Sequence, residues 1–233
     1  NSLIINKVKK GKLFINLELY FKENLKLDTL IVRGEVKEMD AIINNDFSLK
    51  DVSFNFFSDT SDILIKNVTS KTDGFLIKNG NLQIKKNKEI SLKSDFTTEI
   101  QINKKNIVNY LPILKNIKFI NQETNFNANF DNFLNIKFDK KFKVIDYDYT
   151  NRGKVNKSFF KLDKSIENSF LEKNIDYIHL KNSNFNIRYA ADEKNHIYAS
   201  GSYSIDDKDY QNYDFKNDIF KDTSNIILNL EFA

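Results

Sequence analysis

Ile90 to Ile102 reads ISLKSDFTTEIQI, and its reading decides the fold. The even-numbered positions are Ile90, Leu92, Ser94, Phe96, Thr98, Ile100 and Ile102, and every residue between them is polar. A period of two over this length marks a β-strand with one apolar and one wet face. A helix would scatter Ile90, Phe96 and Ile100 around its circumference. At about 3.4 Å per residue the stretch spans roughly 40 Å, well beyond an ordinary strand.

Working outward, the same texture recurs. Leu13, Ile15, Leu17, Leu19 and Phe21 share a face in KLFINLELYFK, after a turn expected at Lys9, Lys10 and Gly11. From Leu25 to Val36 the alternation slips, because Leu25 and Leu27 are out of phase with Leu30 and Val32; a β-bulge near Asp28 and Thr29 accounts for it. Met39 to Ile43 reads as a weak strand. Val52, Phe54 and Phe56 share a face in the next, and Ile63 to Val68 follows after a turn at Ser58 to Ser61. Asn79-Gly80 is either a hairpin turn or a bulge within one bent strand. From Phe47 to Ile102 the order is strand, turn, strand at a spacing of about ten residues, which is a meander.

Asn103 to Asn116 breaks the pattern, with Ile107, Val108, Leu111 and Leu114 at helical spacing and Pro112 inside. One short helix is expected there. Strands resume around Phe126 to Phe130, Leu134 to Phe138, Phe142 to Tyr149, Val155 to Leu162, Tyr177 to Leu180, Phe185 to Ala191 and Ile197 to Ile205. Ser165 to Leu171 is ambiguous, one helical turn being one reading of it, and Asp206 to Asp218 reads as a polar loop. Ile226, Leu228, Leu230 and Phe232 alternate in the last strand. No linker divides the 233 residues, which read as one segment with a subdivision around 103–124.

Composition narrows the function. Hydrophobic residues are 40% and charged residues 29%, so the chain folds rather than staying disordered. Its six glycines and one proline leave the turning to Asn, Asp and Lys. A net charge of +4, with acids interleaved among the bases, argues against a nucleic-acid partner. Without cysteine there is neither disulfide nor thiolate metal site. No apolar run is long enough for a transmembrane helix. The chain starts at Asn1 rather than Met, as a piece of a longer protein would, with a targeting segment expected upstream.

Nothing in the sequence points to catalysis. His179 and His196 lie in different strands without ligand spacing, and neither a nucleophile elbow nor a phosphate-binding glycine loop is present. Asp206, Asp207 and Asp209 offer oxygens to calcium but lack the EF-hand spacing, so a solvated loop is the reading. The sequons at Asn67 and Asn156 are chance matches in an Asn-rich chain. No cofactor is expected. A sheet of many long strands with one apolar face must close, stack or leave a groove. The scarcity of Gly and Pro disfavours a sandwich, and a transmembrane barrel would need aromatic girdles.

The run DILIKNVTSKTDGFLIKNGNLQIKKNKEISLKSDFTTEI resembles the AsmA-like proteins of Gram-negative bacteria, the group of TamB and YhdP. The similarity lies in the step Asn79, Gly80, Leu82, Ile84 followed by the long strand Ile90 to Ile102; Tyr110-Leu111-Pro112 is similar to the YhdP branch. The resemblance implies an all-β chain, a long antiparallel meander curled into an elongated, twisted hydrophobic groove. It also implies a periplasmic location, an inner-membrane anchor outside this chain, and transfer of phospholipid toward the outer membrane without enzymatic activity. The expected partners are phospholipid acyl chains, with membranes at the ends of the full-length protein. The residues expected to line the groove are Leu13, Ile15, Leu17, Leu19, Phe21, Val52, Phe54, Phe56, Ile90, Leu92, Phe96, Ile100, Ile102, Ile226, Leu228, Leu230 and Phe232. The alternative is a structural or surface β-sandwich or β-solenoid with a closed core and no ligand. An enzyme domain such as a β-helix polysaccharide lyase comes third.

Overall fold

The computed structural model describes residues 8–42, 48–72, 74–86, 89–103, 120–167, 174–191, 195–221 and 223–231. Among them are twelve strands: β1 (Val8–Phe21), β2 (Leu27–Ile42), β3 (Ser48–Ser58), β4 (Asp62–Thr72), β5 (Phe75–Lys86), β6 (Ile90–Asn103), β7 (Ile120–Phe138), β8 (Val144–Ile166), β9 (Ile175–Ala190), β10 (Asn195–Ser204), β11 (Gln211–Phe220) and β12 (Thr223–Leu230). They form one antiparallel open sheet whose spatial order is the sequence order. The described residues contain no helix. The helix expected over Asn103–Asn116 lies outside them except for Asn103, which ends β6.

The strands are longer and fewer than the sequence reading made them. Lys9–Gly11 is not a turn but part of β1, where the pairing with β2 slips twice between Val8 and Lys12. Met39 continues β2 instead of starting a new strand. Phe126–Phe130 and Leu134–Phe138 are both β7. Val155–Leu162 belongs to β8, and so do Ser165 and Ile166, at the start of the stretch that read ambiguously. The loop expected from Asp206 to Asp218 is mostly β11. There Asn212, Asp214, Lys216 and Asp218 alternate with Tyr213, Phe215, Asn217 and Ile219, so the strand period is present but diluted by Asn217.

Bulges explain how long strands keep one apolar face. In β2, Asp28 is the extra residue: Tyr20 faces Thr29 while Phe21 faces Leu27. Glu38, Asp51, Asn67 and Asn79 have φ of 52°, 51°, 56° and 53°, one in each of β2 to β5. Pairing slips near them, between Val36 and Met39 and between Lys50 and Ser53. Each extra residue re-phases its strand, returning the next apolar side chain to the same face. Asn79-Gly80 is therefore a bulge within β5, not a hairpin.

By contact density the chain divides into two compact units. The first comprises Asn1–Thr72, Leu76–Thr98 and Asp131–Thr150. Its apolar face is read directly from register: Leu13 faces Val36, which faces Phe54, and Ile15 faces Gly34, which faces Phe56, which faces Ile65. Gly34 is required there, because a Cβ would lie 2.2 Å from the Phe14 carbonyl oxygen and 2.6 Å from the Phe56 ring. The other face carries ion pairs between Arg33 and Glu18 at 3.0 Å and between Lys12 and Glu38 at 2.9 Å.

The second unit comprises Asp73–Phe75, Glu99–Phe130 and Asn151–Ala233. Ile187 faces Ile197, Phe185 faces Ala199, and that row continues through Phe215 to Leu228. Ile100 and Ile102 are buried against Phe75, Phe126 and Phe130. Gly153 leaves room for the Phe130 ring against β8, since a Cβ would meet the ring at 2.2 Å.

Candidate functional site

Period-two patterning puts apolar side chains on one face; register then decides which of them pack and which stay open. The expected residues do not share one environment. Ile102, at 1% exposure, and Ile100 are packed core of the second unit rather than an open wall. Leu13, Ile15, Leu17, Leu19 and Phe21 lie on the edge strand β1 and are exposed, Leu17 by 59%. Ile226 on β12 is 60% exposed and Leu228 beside it 55%. Phe56, Ile90 and Leu92 are half-buried. Phe232 lies outside the described residues.

Val52, Phe54, Phe96, Leu230 and also Leu228 line cavities. In the first unit, Val52 and Phe54 of β3 and Phe96 of β6 border a cavity of about 230 Å³. Ile65 and Val68 of β4 and Ile77 and Leu82 of β5 add to its wall, with Gly80 and the polar Asn81 and Ser94. The four apolar residues belong to strands that the alternation marked, and the same period picks them out once the bulges at Asn67 and Asn79 are allowed for. In the second unit, Leu228 and Leu230 border a cavity of about 540 Å³ together with Ile178 and Leu180 of β9, Tyr203 of β10 and Tyr213 of β11. Tyr213 went unmarked because β11 read as a loop. The larger cavity falls within the usual range for ligand sites, roughly 300–1,000 Å³, and the smaller falls short of it.

Polar groups interrupt the apolar face at a few defined places. Asn132 of β7, buried to 4% exposure, donates from Nδ2 to Thr98 Oγ1 at 3.0 Å and to the Phe96 carbonyl at 3.2 Å. The Tyr149 hydroxyl donates to Asn132 Oδ1 at 2.8 Å. This row crosses β6, β7 and β8 with its partners satisfied, as buried polar groups require.

The loop Ile205–Tyr210 borders the larger cavity. Asp206 Oδ1 accepts from Ser204 Oγ at 2.8 Å and from the backbone N–H of Lys208 at 2.9 Å and of Asp209 at 3.3 Å. These bonds, that of the Lys208 N–H foremost, hold the Asp206 carboxyl below the usual carboxylate range. Asp207 is bound differently. It accepts from the Tyr210 hydroxyl, takes Lys157 Nζ at 2.9 Å and lies 3.7 Å from His179 Nδ1. Burial and the bond to Asp207 push the Tyr210 hydroxyl up to about 12. Asp207 thus fastens the loop to β8 and β9. His196 stacks on Tyr198 with ring centroids 4.4 Å apart. Among the described residues no cluster of His, Cys, Asp or Glu is built to hold a metal.

The chain matches no protein-family model, and no curated protein or solved structure is significantly similar to it. The site therefore rests on its own geometry. Among the described residues it offers extended apolar surface and the two largely apolar cavities above.

Proposed function

We propose that this chain is a periplasmic segment of an AsmA-like bridge that carries phospholipid between the inner and outer membranes along the apolar face of its sheet. The observation that carries the reading is the exposure of apolar side chains on the two edge strands of the sheet. Leu13, Leu17 and Leu19 on β1 and Ile226 and Leu228 on β12 are more than half exposed, where a closed core would bury them. Acyl chains laid there would cover that surface and be covered by it, at about 0.8 kcal/mol per CH₂ removed from water. No proton or group transfer is needed, and the residues bordering the cavities suit such a passive role. Within the second unit, Phe215 and the residues that face it, Ala199 and Leu228, form an apolar row of their own.

The closed-core alternative has one observation in its favour, the packed cluster of Ile100 and Ile102 with Phe75, Phe126 and Phe130. That cluster involves two of the expected lining residues and leaves the edge strands open.

The test is site-specific photo-crosslinking in cells. A probe replacing Leu17, Phe54 or Leu228 is expected to capture phospholipid, and a probe at Lys93 or Lys216 on the wet face is expected to capture none. Equal labelling at both faces, or none at either, would return the protein to the closed-core class.

A further inference from the structure

We propose that the free edge of β1 is a self-complementary interface, through which two copies of this chain join antiparallel and continue one sheet into the other. The inference is independent of lipid carriage. Among the described residues β1 hydrogen-bonds to β2 alone, so alternate backbone N–H and C=O groups along its other side have no strand to pair with. Folded proteins blunt such an edge with short strands, bulges or charges. β1 has fourteen residues and pairs with β2 without a slip from Lys12 to Tyr20. Its lysines, Lys9, Lys10 and Lys12, gather at the start, and from Leu13 to Phe21 the one charge is Glu18. Leu13, Ile15, Leu17 and Leu19 are each more than half exposed.

The pattern of charge on this strand fits a second copy of itself. With Ile15 set opposite Ile15 of the second copy, Leu13 meets its Leu17 and Lys12 meets its Glu18. The two-fold symmetry makes each of these last two pairs twice. Lys10 then lies diagonal to the same carboxylate, and no like charges stand opposite one another. Slipping the pairing by one residue would set the apolar face of one copy beside the wet face of the other. Slipping it by two takes Lys12 off Glu18.

Both charges are available for this pairing. Lys12 Nζ is exposed and, among the described residues, spends one of its three donors, on Glu38 Oε2 at 2.9 Å. Glu18 accepts from Arg33 and from the Tyr20 hydroxyl, and its carboxylate has acceptor capacity beyond them. β12, the other edge strand, has eight residues and no charged one, so it carries nothing to fix a partner or a register. Edge-to-edge pairing leaves both faces of the sheet open, and the apolar face runs on across the junction instead of being covered.

The chain has no cysteine, so introduced thiols report the register directly. The full chain is expected to sediment as a dimer at micromolar concentration and as a monomer on dilution. With a short bis-maleimide, Ile15→Cys should crosslink to itself, and Leu13→Cys mixed with Leu17→Cys should give the mixed dimer. Leu19→Cys, far from the axis, and Ile226→Cys on β12 should stay uncoupled. Glu18→Lys sets like charges opposite each other at both symmetry-related places and should raise the dimer dissociation constant about tenfold. Adding Lys12→Glu should restore it. A chain that stays monomeric at every concentration overturns the proposal. So does crosslinking as strong at Leu19 or Ile226 as at Ile15, growth beyond dimers, or an affinity that Glu18→Lys leaves unchanged or that the double substitution fails to restore. Should a charge variant fail to fold, the thiol pattern, read on chains with their native charges, still decides.

Discussion

Phe96 is half-buried in β6 and shares its cavity with Val52, Phe54 and Leu82 and with the neutral Asn81 and Ser94, so no cation lines it to pair with a charge. Phe96→Asp is therefore expected to abolish lipid capture. Its stability cost should stay below the ~3–5 kcal/mol of emptying a packed Phe site, because a carboxylate beside an open cavity can rehydrate. Lys93→Asp, exposed on the wet face, is the control and should change neither melting nor lipid. An unfolded Phe96→Asp protein would mean that the cavity is core. At the β3–β4 turn the relevant group is Asp59, which accepts from the backbone N–H groups of Asp62 at 2.7 Å and Ser61 at 2.8 Å. Those bonds hold its carboxyl below the usual range. The folded state binds its proton less tightly than the unfolded chain does, so the contribution is complete above the unfolded value of roughly 4 and fades as pH falls through the folded one. Asp59→Ala should lower the melting temperature at neutral pH, and the gap to wild type should narrow on acidification. A gap that stays constant down to pH 2–3, roughly a unit or more below the unfolded value, would remove the charge from the explanation.

At the scale of the strand, the bulges make a sharper prediction than the alternation does. Asn79 holds φ at 53° inside β5, a conformation open to Gly and Asn but not to β-branched residues. Asn79→Gly should change stability by a few tenths of a kcal/mol at most, while Asn79→Val should cost about 1–2 kcal/mol, both read from chemical denaturation. Equal effects would mean that the φ at this position matters little. The same bulges mark the limit of what could be read in advance. The long strand from Ile90 was legible because its period is unbroken, and the slip near Asp28 was legible because apolar residues stand on both sides of it. Asn79-Gly80 stayed ambiguous, since a turn and a bulge use the same residue chemistry; only pairing with the neighbouring strand separates them. β11 was missed because Asn217 occupies an apolar slot and Asn, Asp and Lys fill the slots between, as they do in a polar loop. Val52, Phe54, Phe96, Leu228 and Leu230 were marked and do border cavities. Ile100 and Ile102 looked the same in sequence yet are packed. Their state is set by Phe75, Phe126 and Phe130, which reach them from other strands.

For the molecule as a whole, the governing fact is that spatial order equals sequence order, so every described strand hydrogen-bonds only to its neighbours in the chain. Stability then resembles a sum of nearest-neighbour terms, and local opening should vary along the sheet instead of occurring all at once. β6 and β7 have partners on both sides, and Ile102 and Ala128 are almost wholly buried. β12 has one partner and no buried residue. Native-state hydrogen exchange is therefore expected to be slowest around Ile100–Ile102 and Ala128 and fastest in Thr223–Leu230. Lipid that covers Ile226 and Leu228 stabilises only the states in which β12 is in place, by RT ln(1 + [L]/Kd). Loading the protein with phospholipid should thus slow exchange in β12 far more than in β6, whose opening is limited by its own packing. A closed core gives the opposite pattern, with all strands exchanging through one global opening and lipid leaving every rate unchanged. The comparison of β12 with β6, with and without lipid, decides between them.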